Sequence, residues 1–286
     1  MVPMLRMRIK EHAMMCYSLA CLSDTGVVRE HNEDNFAFFG NFMPAEHQTS
    51  ETYRMDVAAG DSFMVGVFDG MGGEVSGEVA SYIAAKTCND YPRQKACSSQ
   101  TLLEVMAEME KAVCQEKDLR RVGTMGATAT LLAVDGVHAR AYVANVGDSI
   151  ALLCDGTSLQ KLSREHTDAQ TLIILGITDR KPGLTQYLGM SDGQITINPH
   201  TTECGLAPGN VVLLASDGLT DAVHDSEILA VLSQDFDISL KAERLRDLAI
   251  EGGSKDNITV LLCEVRETEP DSAETSVQDV TPSRIE

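Results

Sequence analysis

The sequence predicts an α+β fold, a β-sandwich of antiparallel sheets covered by layers of helix. Three observations predict it. Apolar runs are joined by Asp135-Gly136 and again by Asp155-Gly156, two-residue connections that antiparallel strands accept and parallel strands do not. Several runs, such as FMVGVF and VVLLA, are apolar on both sides and read as fully buried strands. Amphipathic stretches with helical spacing stand between groups of strands, but the strand–helix alternation of a parallel sheet is not evident, and neither G-x-G-x-x-G nor G-x-x-x-x-G-K-[ST] occurs.

In chain order, residues 1–15 are Met-rich and without periodicity, a short N-terminal extension before one domain over 16–266. Short β-type runs at 17–22 and 35–39 flank SDTGVVREHNED, and the polar, irregular stretch 40–62 reads as an inserted loop. The run 63–68 is a buried strand closed at once by DGMGG, a tight turn. Residues 76–88 form a helix with Ser76 as its N-cap. A second helix over 101–119 places Leu102, Met106, Met109 and Val113 on one face. GATATLLAV and VHARAYVANV make the first hairpin, SIALLC and TSLQKL the second. Residues 167–175 read as helix, ITINPH and NVVLLAS as strands, and 226–232 and 240–250 as helices, the latter closed by Gly252-Gly253. NITVLLCEV, 257–265, is the last strand, and the polar, acidic residues 267–286 read as a disordered tail.

The bulk composition narrows the function. A net charge of −20 repels nucleic acid and anionic membrane surfaces, whose binding needs Lys and Arg on the contact face. None of the eight cysteines forms a C-x-x-C pair, and Cys154 and Cys263 each end an apolar run, as buried free thiols do. MVPMLRMRIK is not followed by an apolar stretch of signal length, and no run of about 18 apolar residues exists to span a bilayer. The expectation is a reduced, cytoplasmic setting.

The acidic residues are not spread evenly. Asp69 ends FMVGVF, Asp148 follows AYVANVG, Asp217 follows VVLLAS and Asp256 precedes ITVLLC, so each lies at the mouth of an apolar strand. Asp-Gly is also ordinary turn chemistry. Asp135 and Asp155, in polar-flanked hairpins, are assigned nothing more. If the four strand-end carboxylates converge, they repel one another unless cations separate them. Hard oxygen donors suit Mg2+ or Mn2+, and Gly70, without a side chain, leaves its carbonyl free to join them. Two such ions about 3.5–4 Å apart lower the pKa of a shared water and neutralise charge on a phosphoryl group. That chemistry is direct attack of water on a phosphate ester, with no C-x5-R loop or G-x-S-x-G elbow required. Arg29, four residues before Glu33 and five before Asp34, can grip two phosphate oxygens in a fork or simply pair with those acids.

Taken in order, SDTGVVREHNEDN, VFDGMGGEVSGEVAS, MGATATLLAV, AYVANVGDS, LSREHT, LLASDGLTDAV and SKDNITVLL resemble the metal-dependent protein phosphatases of the type 2C group, and most closely their bacterial members. Each motif alone is weakly specific, but the ordered set, over about residues 17–265, is highly specific. The resemblance implies a four-layer α-β-β-α sandwich and hydrolysis of phosphoserine and phosphothreonine in proteins, often those made by a partner serine/threonine kinase. It places two metal ions on Asp69, the Gly70 carbonyl, Asp217 and Asp256, metal-associated waters on Glu33 and Asp34, the substrate phosphate on Arg29, and a weaker third ion on Asp148 with Asp217. The sequence departs from the pattern in places. Met71 stands where many eukaryotic members have a proton-donating His, as is common in bacterial members, and leaves the general acid unassigned, with His31 and His166 the neighbouring candidates. Ile150 replaces a usual Arg. The segment 163–189, which corresponds to a mobile flap, lacks the His-Pro and Arg-rich pattern. A catalytically inactive scaffold of the same fold, the rival reading, would lose metal aspartates, whereas Asp69, Asp217 and Asp256 are all present.

Overall fold

A computed structural model of the chain describes residues 15–47, 50–72, 76–92, 97–191, 195–267 and 283–284. In chain order its elements are β1 (Met15–Asp24), β2 (Asp34–Phe38), β3 (Glu51–Val57), β4 (Phe63–Gly72), α1 (Ser76–Asp90), α2 (Ser99–Arg120), β5 (Met125–Ala127), β6 (Ala129–Asp135), β7 (Arg140–Val146), β8 (Ile150–Cys154), β9 (Leu159–Lys161), α3 (Ala169–Leu175), β10 (His200–Gly205), β11 (Val211–Ala215), α4 (Asp217–Thr220), α5 (Asp225–Leu232), α6 (Ile238–Glu251), β12 (Ile258–Glu267) and β13 (Ser283–Arg284).

The strands form two sheets, one ordered β13-β3-β1-β12-β11-β8-β9 and the other β10-β7-β6-β4-β2, with β5 paired to β4. Every pairing between these strands is antiparallel.

Side-chain alternation explains the layering. In β1, Tyr17, Leu19 and Cys21 point into the core between the sheets, while Ala20 and Leu22 join the layer that packs on α5 and α6. In β12, Leu261, Cys263 and Val265 face inward and Ile258, Val260 and Leu262 outward. In β6, Leu132 and Val134 face the other sheet, and Ala129, Leu131 and Ala133 face α1 and α2. Strands buried on both faces must be apolar throughout, which is why these runs show no polar alternation. The result is the α-β-β-α order of four layers, and each fully buried Leu or Phe contributes about 1.5–3 kcal/mol to holding it.

Three local readings need correction. The stretch 40–62 is not wholly a loop, since β3 lies within it and pairs with β1 from Tyr17↔Val57 to Ser23↔Glu51. Met55 and Val57 are buried, while polar Thr52, Arg54 and Asp56 take the alternate positions, the alternation of a near-edge strand. The rest of the stretch is pinned by Asn35, whose side chain accepts from Met43 N (2.9 Å) and donates to Met43 O (3.1 Å). Second, 195–199 is not strand. Pro199 supplies no N–H, and the strand begins after it, at His200, on the sheet edge where polar TTE is tolerated. Third, two strands differ in extent: GATATLLAV is broken at Thr128 into β5 and β6, and β4 does not turn at Asp69 but runs on to Gly72, where it pairs with β5.

Of the N-terminal extension, residues 1–14 lie outside the described residues, as do 268–282 and 285–286 of the tail; Ser283 and Arg284 pair with Arg54 and Tyr53 of β3.

Candidate metal centre

The carboxylates of interest sit where strands of both sheets end. Asp34 opens β2 and lies opposite Asp69 of β4 in register. Asp148 follows β7, Asp217 opens α4 directly after β11, and Asp256 precedes β12. Asp69, Asp148 and Asp217, each half-buried, bring one carboxylate oxygen apiece within 4.8 Å of one another. Asp256 stands to one side, bonded to the Arg29 guanidinium at 2.7 Å, and Arg29 is also 3.7 Å from Glu33. Residues 226 and more apart in sequence thus meet at one mouth of the sandwich, Arg29 reaching Lys255 O as well.

A scaffold of small polar residues fixes these acids. The Thr128 hydroxyl accepts from Asp69 N (3.0 Å), Thr128 N donates to Asp69 O (2.8 Å), and the same hydroxyl bonds Ser149, next to Asp148 (2.7 Å). The break between β5 and β6 therefore coincides with the residue that seats Asp69. The Ser216 hydroxyl, beside Asp217, donates to Asp34 (2.7 Å). The Asn257 side chain accepts from Glu33 N (2.8 Å) and donates to the carbonyls of Thr25 and His31 (2.9 Å each), closing the 25–33 loop on β12. Two glycines make the approach possible. A Cβ at Gly70 would lie 2.2 Å from Gly77 O and 2.5 Å from Glu33 O, and one at Gly218 would lie 1.9 Å from Asn257 O. Gly70 N donates to Glu33 O (3.1 Å).

The electrostatics are strained in one direction. Burial, followed by the charges of neighbouring carboxylates, raises Asp69 well above the usual carboxylate range. Asp217 is raised chiefly by burial, against the pull of Lys181. Burial and Asp217 bring Asp148 to about 6. Burial brings Asp34 to about 7 in spite of its hydroxyl partners, and Glu33 to about 7 in spite of Arg29. Carboxylates placed like this cannot all stay ionised near neutral pH without a counter-cation. An all-oxygen donor set with this charge suits Mg2+ or Mn2+ and poorly suits softer metals.

The other singled-out residues fall around this mouth. His31 Nδ1 is 3.6 Å from the buried Glu78 carboxylate, while His31 itself is exposed. His166 is buried and works on the backbone: its ring Nδ1 accepts from Gly147 N (3.2 Å) and its backbone N–H donates to Gly147 O (2.9 Å). Met71 pairs with Gly126 across β4 and β5, and Ile150 is buried in the helix-side core. The 163–189 segment reaches the site after all, through Lys181, whose Nζ donates to Asp217 and to Asp221 at 2.6 Å each. Burial works against the Lys181 charge, but the two carboxylates outweigh it and raise its pKa. Thr128, Ser149, Ser216, Asn257, Lys181 and Asp221 were not legible as site residues. Ser149, Ser216 and Asn257 each adjoin a strand-end aspartate, which is the one signal that could have found them.

The description "Protein phosphatase 2C" belongs to the family whose model matches residues 31–172. The serine/threonine phosphatase stp of Listeria monocytogenes is 30% identical over 260 residues, covering 85% of this chain and 93% of the relative. The serine/threonine protein phosphatase PstP of Mycobacterium tuberculosis is also 30% identical over 260 residues, 86% of this chain and 44% of that protein. Among solved structures, PppA, a regulatory component of the T6SS of Pseudomonas aeruginosa, is similar with a TM-score of 0.69 at 28% identity, covering 88% of this chain and 98% of that one. The catalytic domain of PstP in complex with two manganese ions is similar with a TM-score of 0.66 at 25% identity, covering 88% and 100%.

Proposed function

The chain belongs to the protein phosphatase 2C family, and from that membership we propose how its acidic mouth works. It is a metal-dependent serine/threonine protein phosphatase, an active hydrolase of phosphoric monoesters and not an inactive scaffold. The observation that carries the site assignment is the meeting of Asp69, Asp148 and Asp217 within 4.8 Å, beside an Arg29 side chain that is 44% exposed.

Asp69, the Gly70 carbonyl, Asp217 and Asp256 would hold two Mn2+ or Mg2+ ions, Glu33 and Asp34 would orient metal-associated water, and Asp148 with Asp217 would hold a weaker third ion. When bound, the ions activate water for attack on phosphorus and neutralise the charge that develops there. The chain's own residues do the rest. Arg29 presents its guanidinium at the rim, steadied by Asp256, and forks onto two phosphate oxygens of the substrate. Asp34, buried and bonded by Ser216, and Glu33, whose N–H is held by Asn257, are fixed in place to accept hydrogen bonds from that water. The apolar strand ends behind them keep the local dielectric low, which strengthens each of these interactions.

The substrates are proteins carrying phosphoserine or phosphothreonine, the products of a serine/threonine kinase that acts as the opposing enzyme. A net charge of −20 argues against nucleic acid or an anionic membrane surface as partner. Among the described residues no helix is long and apolar enough to cross a membrane. Cysteines without paired spacing, with Cys21, Cys88, Cys154 and Cys263 buried, support a cytoplasmic setting.

The test is hydrolysis of phosphothreonine peptides and p-nitrophenyl phosphate with and without Mn2+, with Arg29→Ala alongside. Manganese-dependent release of phosphate is expected from the wild type. Arg29→Ala should raise KM at least about tenfold, as loss of a charge-assisted fork does, and leave the calorimetric Mn2+ isotherm nearly unchanged. A large loss of metal affinity in that variant would remove Arg29 from the substrate side of the site.

A further inference from the structure

The segment that carries Lys181 is a closed unit. Asp168 N donates to Gly183 O (3.0 Å), Gly183 N donates to the Asp168 carboxylate (2.8 Å), Thr185 N donates to His166 O (2.8 Å), and Arg180 pairs with Asp168. Its hold on the metal centre is Lys181, which bridges Asp217 and Asp221 across a cleft of about 350 Å³ that Asp148 also lines. In the same unit Leu172 is buried while Ile173, Ile174 and Leu175 turn outward, each at least 65% exposed, so a single apolar side chain seats α3. The Lys181 ammonium ties the stretch after α3 to Asp217 and Asp221 of the α4 turn.

On the reading that the acidic mouth holds metal, we propose that Lys181 is a built-in counter-cation for the outer side of the cluster, and that it and a divalent ion shared by Asp148 and Asp217 exclude one another. The physical reason is local. A carboxylate oxygen already 2.6 Å from an ammonium has one lone pair directed to that donor and its negative charge partly neutralised. A second cation beside it meets like charge at close range in a partly desolvated cleft. Asp221 adds a second acceptor that favours the lysine and stands outside the Asp69–Asp148–Asp217 group. Linkage makes the exclusion reciprocal: the outer ion frees Lys181, and with it residues 168–184, by the same factor by which Lys181 weakens the ion.

The experiment is calorimetric titration of the full chain with Mn2+ alone, for wild type, Lys181→Ala and Lys181→Arg, with hydrogen exchange of the amides in 168–184 at each stage of saturation. Lys181→Ala should tighten the weakest Mn2+ step about tenfold or more, within the usual range of coupling between sites, and leave the tighter steps in place. Lys181→Arg, which keeps the charge, should resemble wild type. Exchange in 168–184 should rise in wild type as the weakest step fills, and in Lys181→Ala should be fast from the start and indifferent to Mn2+. An unchanged weakest step in Lys181→Ala, or exchange in wild type that ignores its filling, overturns the proposal. If those failures accompany Mn2+-dependent hydrolysis of p-nitrophenyl phosphate, the metal centre stands and only the role of Lys181 falls. If folded wild type takes up no Mn2+ at all, both fall.

Discussion

Among the described residues Asp-Gly occurs at two hairpin turns and at two strand mouths, and the two settings give the carboxylate opposite characters. At Asp155-Gly156 the side chain is exposed and accepts from Thr157 N (2.8 Å) and Ser158 N (2.7 Å), which with the neighbouring hydroxyls pull it down to about 2. Asp135 does the same with Val137 and His138 and is lowered. Asp69-Gly70 carries β4 past its buried run and Asp217-Gly218 opens α4 behind buried β11, and burial among like charges raises both carboxylates. The glycine differs as well: Gly156 has open space around it and φ +87, whereas Gly70 and Gly218 are jammed against the backbone of other segments. A hairpin Asp is satisfied by its own next residues, so its role ends locally. A strand-mouth Asp is left in deficit, and the deficit is what attracts a cation.

The sharpest way to break this comparison is to neutralise one carboxylate of each kind. Asp217→Asn should cut Mn2+-dependent kcat/KM on the order of 10³-fold, about 4 kcal/mol of transition-state stabilisation, with an unchanged circular dichroism spectrum. Full activity in that variant ends the metal-ligand assignment. A smaller effect is expected one step back from the acids. Thr128→Ala removes the hydroxyl that seats Asp69 and should lower Mn2+ affinity or activity about 10–100-fold, as loss of a ligand's hydrogen-bond partner does, while Thr128→Ser should restore it. An unaltered isotherm in Thr128→Ala would mean that the strands alone hold Asp69 in place.

Metal-free protein should show the contrast in its pH dependence. Asp148 rises from 3.8 to about 6 on folding, so the fold favours its protonated form. Its contribution is full below the unfolded value and is lost as pH rises through about 6, and Asp34 and Glu33 extend the window to about 7. Melting in EDTA should therefore give a Tm lower at pH 8 than at pH 5, by roughly 2 kcal/mol or about 4–8 °C, and Mn2+ should abolish the loss. An apo Tm flat between those values would mean that water or counter-ions already relieve the cluster. Asp155 has the opposite sign: held low, its contribution is present above the ordinary carboxylate range and fades as pH falls toward about 2. Asp155→Ala is the mildest case, with a small drop in Tm expected and no change in the Mn2+-dependent rate; a loss of rate would give that turn a part in the site.

Much of this is legible in the amino-acid sequence. Buried strands such as VVLLA and ITVLLC announce themselves because both faces need apolar side chains, and Asp-Gly pairs mark their hairpins. The strand-mouth aspartates stand out once those strands are recognised. What escaped was set by tertiary context. β3 was hidden because a near-edge strand carries Arg54 and Asp56 on its solvent side and resembles a polar loop. Thr128 reads as one more β-branched strand residue, and nothing in ATAT reveals which threonine turns away to Asp69. Lys181 lies 36 residues from Asp217 in a segment without a recognisable pattern, so only the folded chain shows the two together.

One topological fact has a bearing on how such a protein is born. β12, late in the chain, is the middle of its sheet: it lies between β1 and β11, is matched to β1 from Met15↔Glu267 to Asp24↔Ile258, and brings Asp256 and Asn257 with it. A ribosome that has delivered every strand up to β11 has still produced two unjoined edges and a loop at Glu33 with nothing to close it. Long-range pairings of this kind form slowly, because the loop between the partners must be closed first. Until β12 is in place, Asn257 cannot accept from Glu33 N, and Asp256 has no strand to hold it against Arg29.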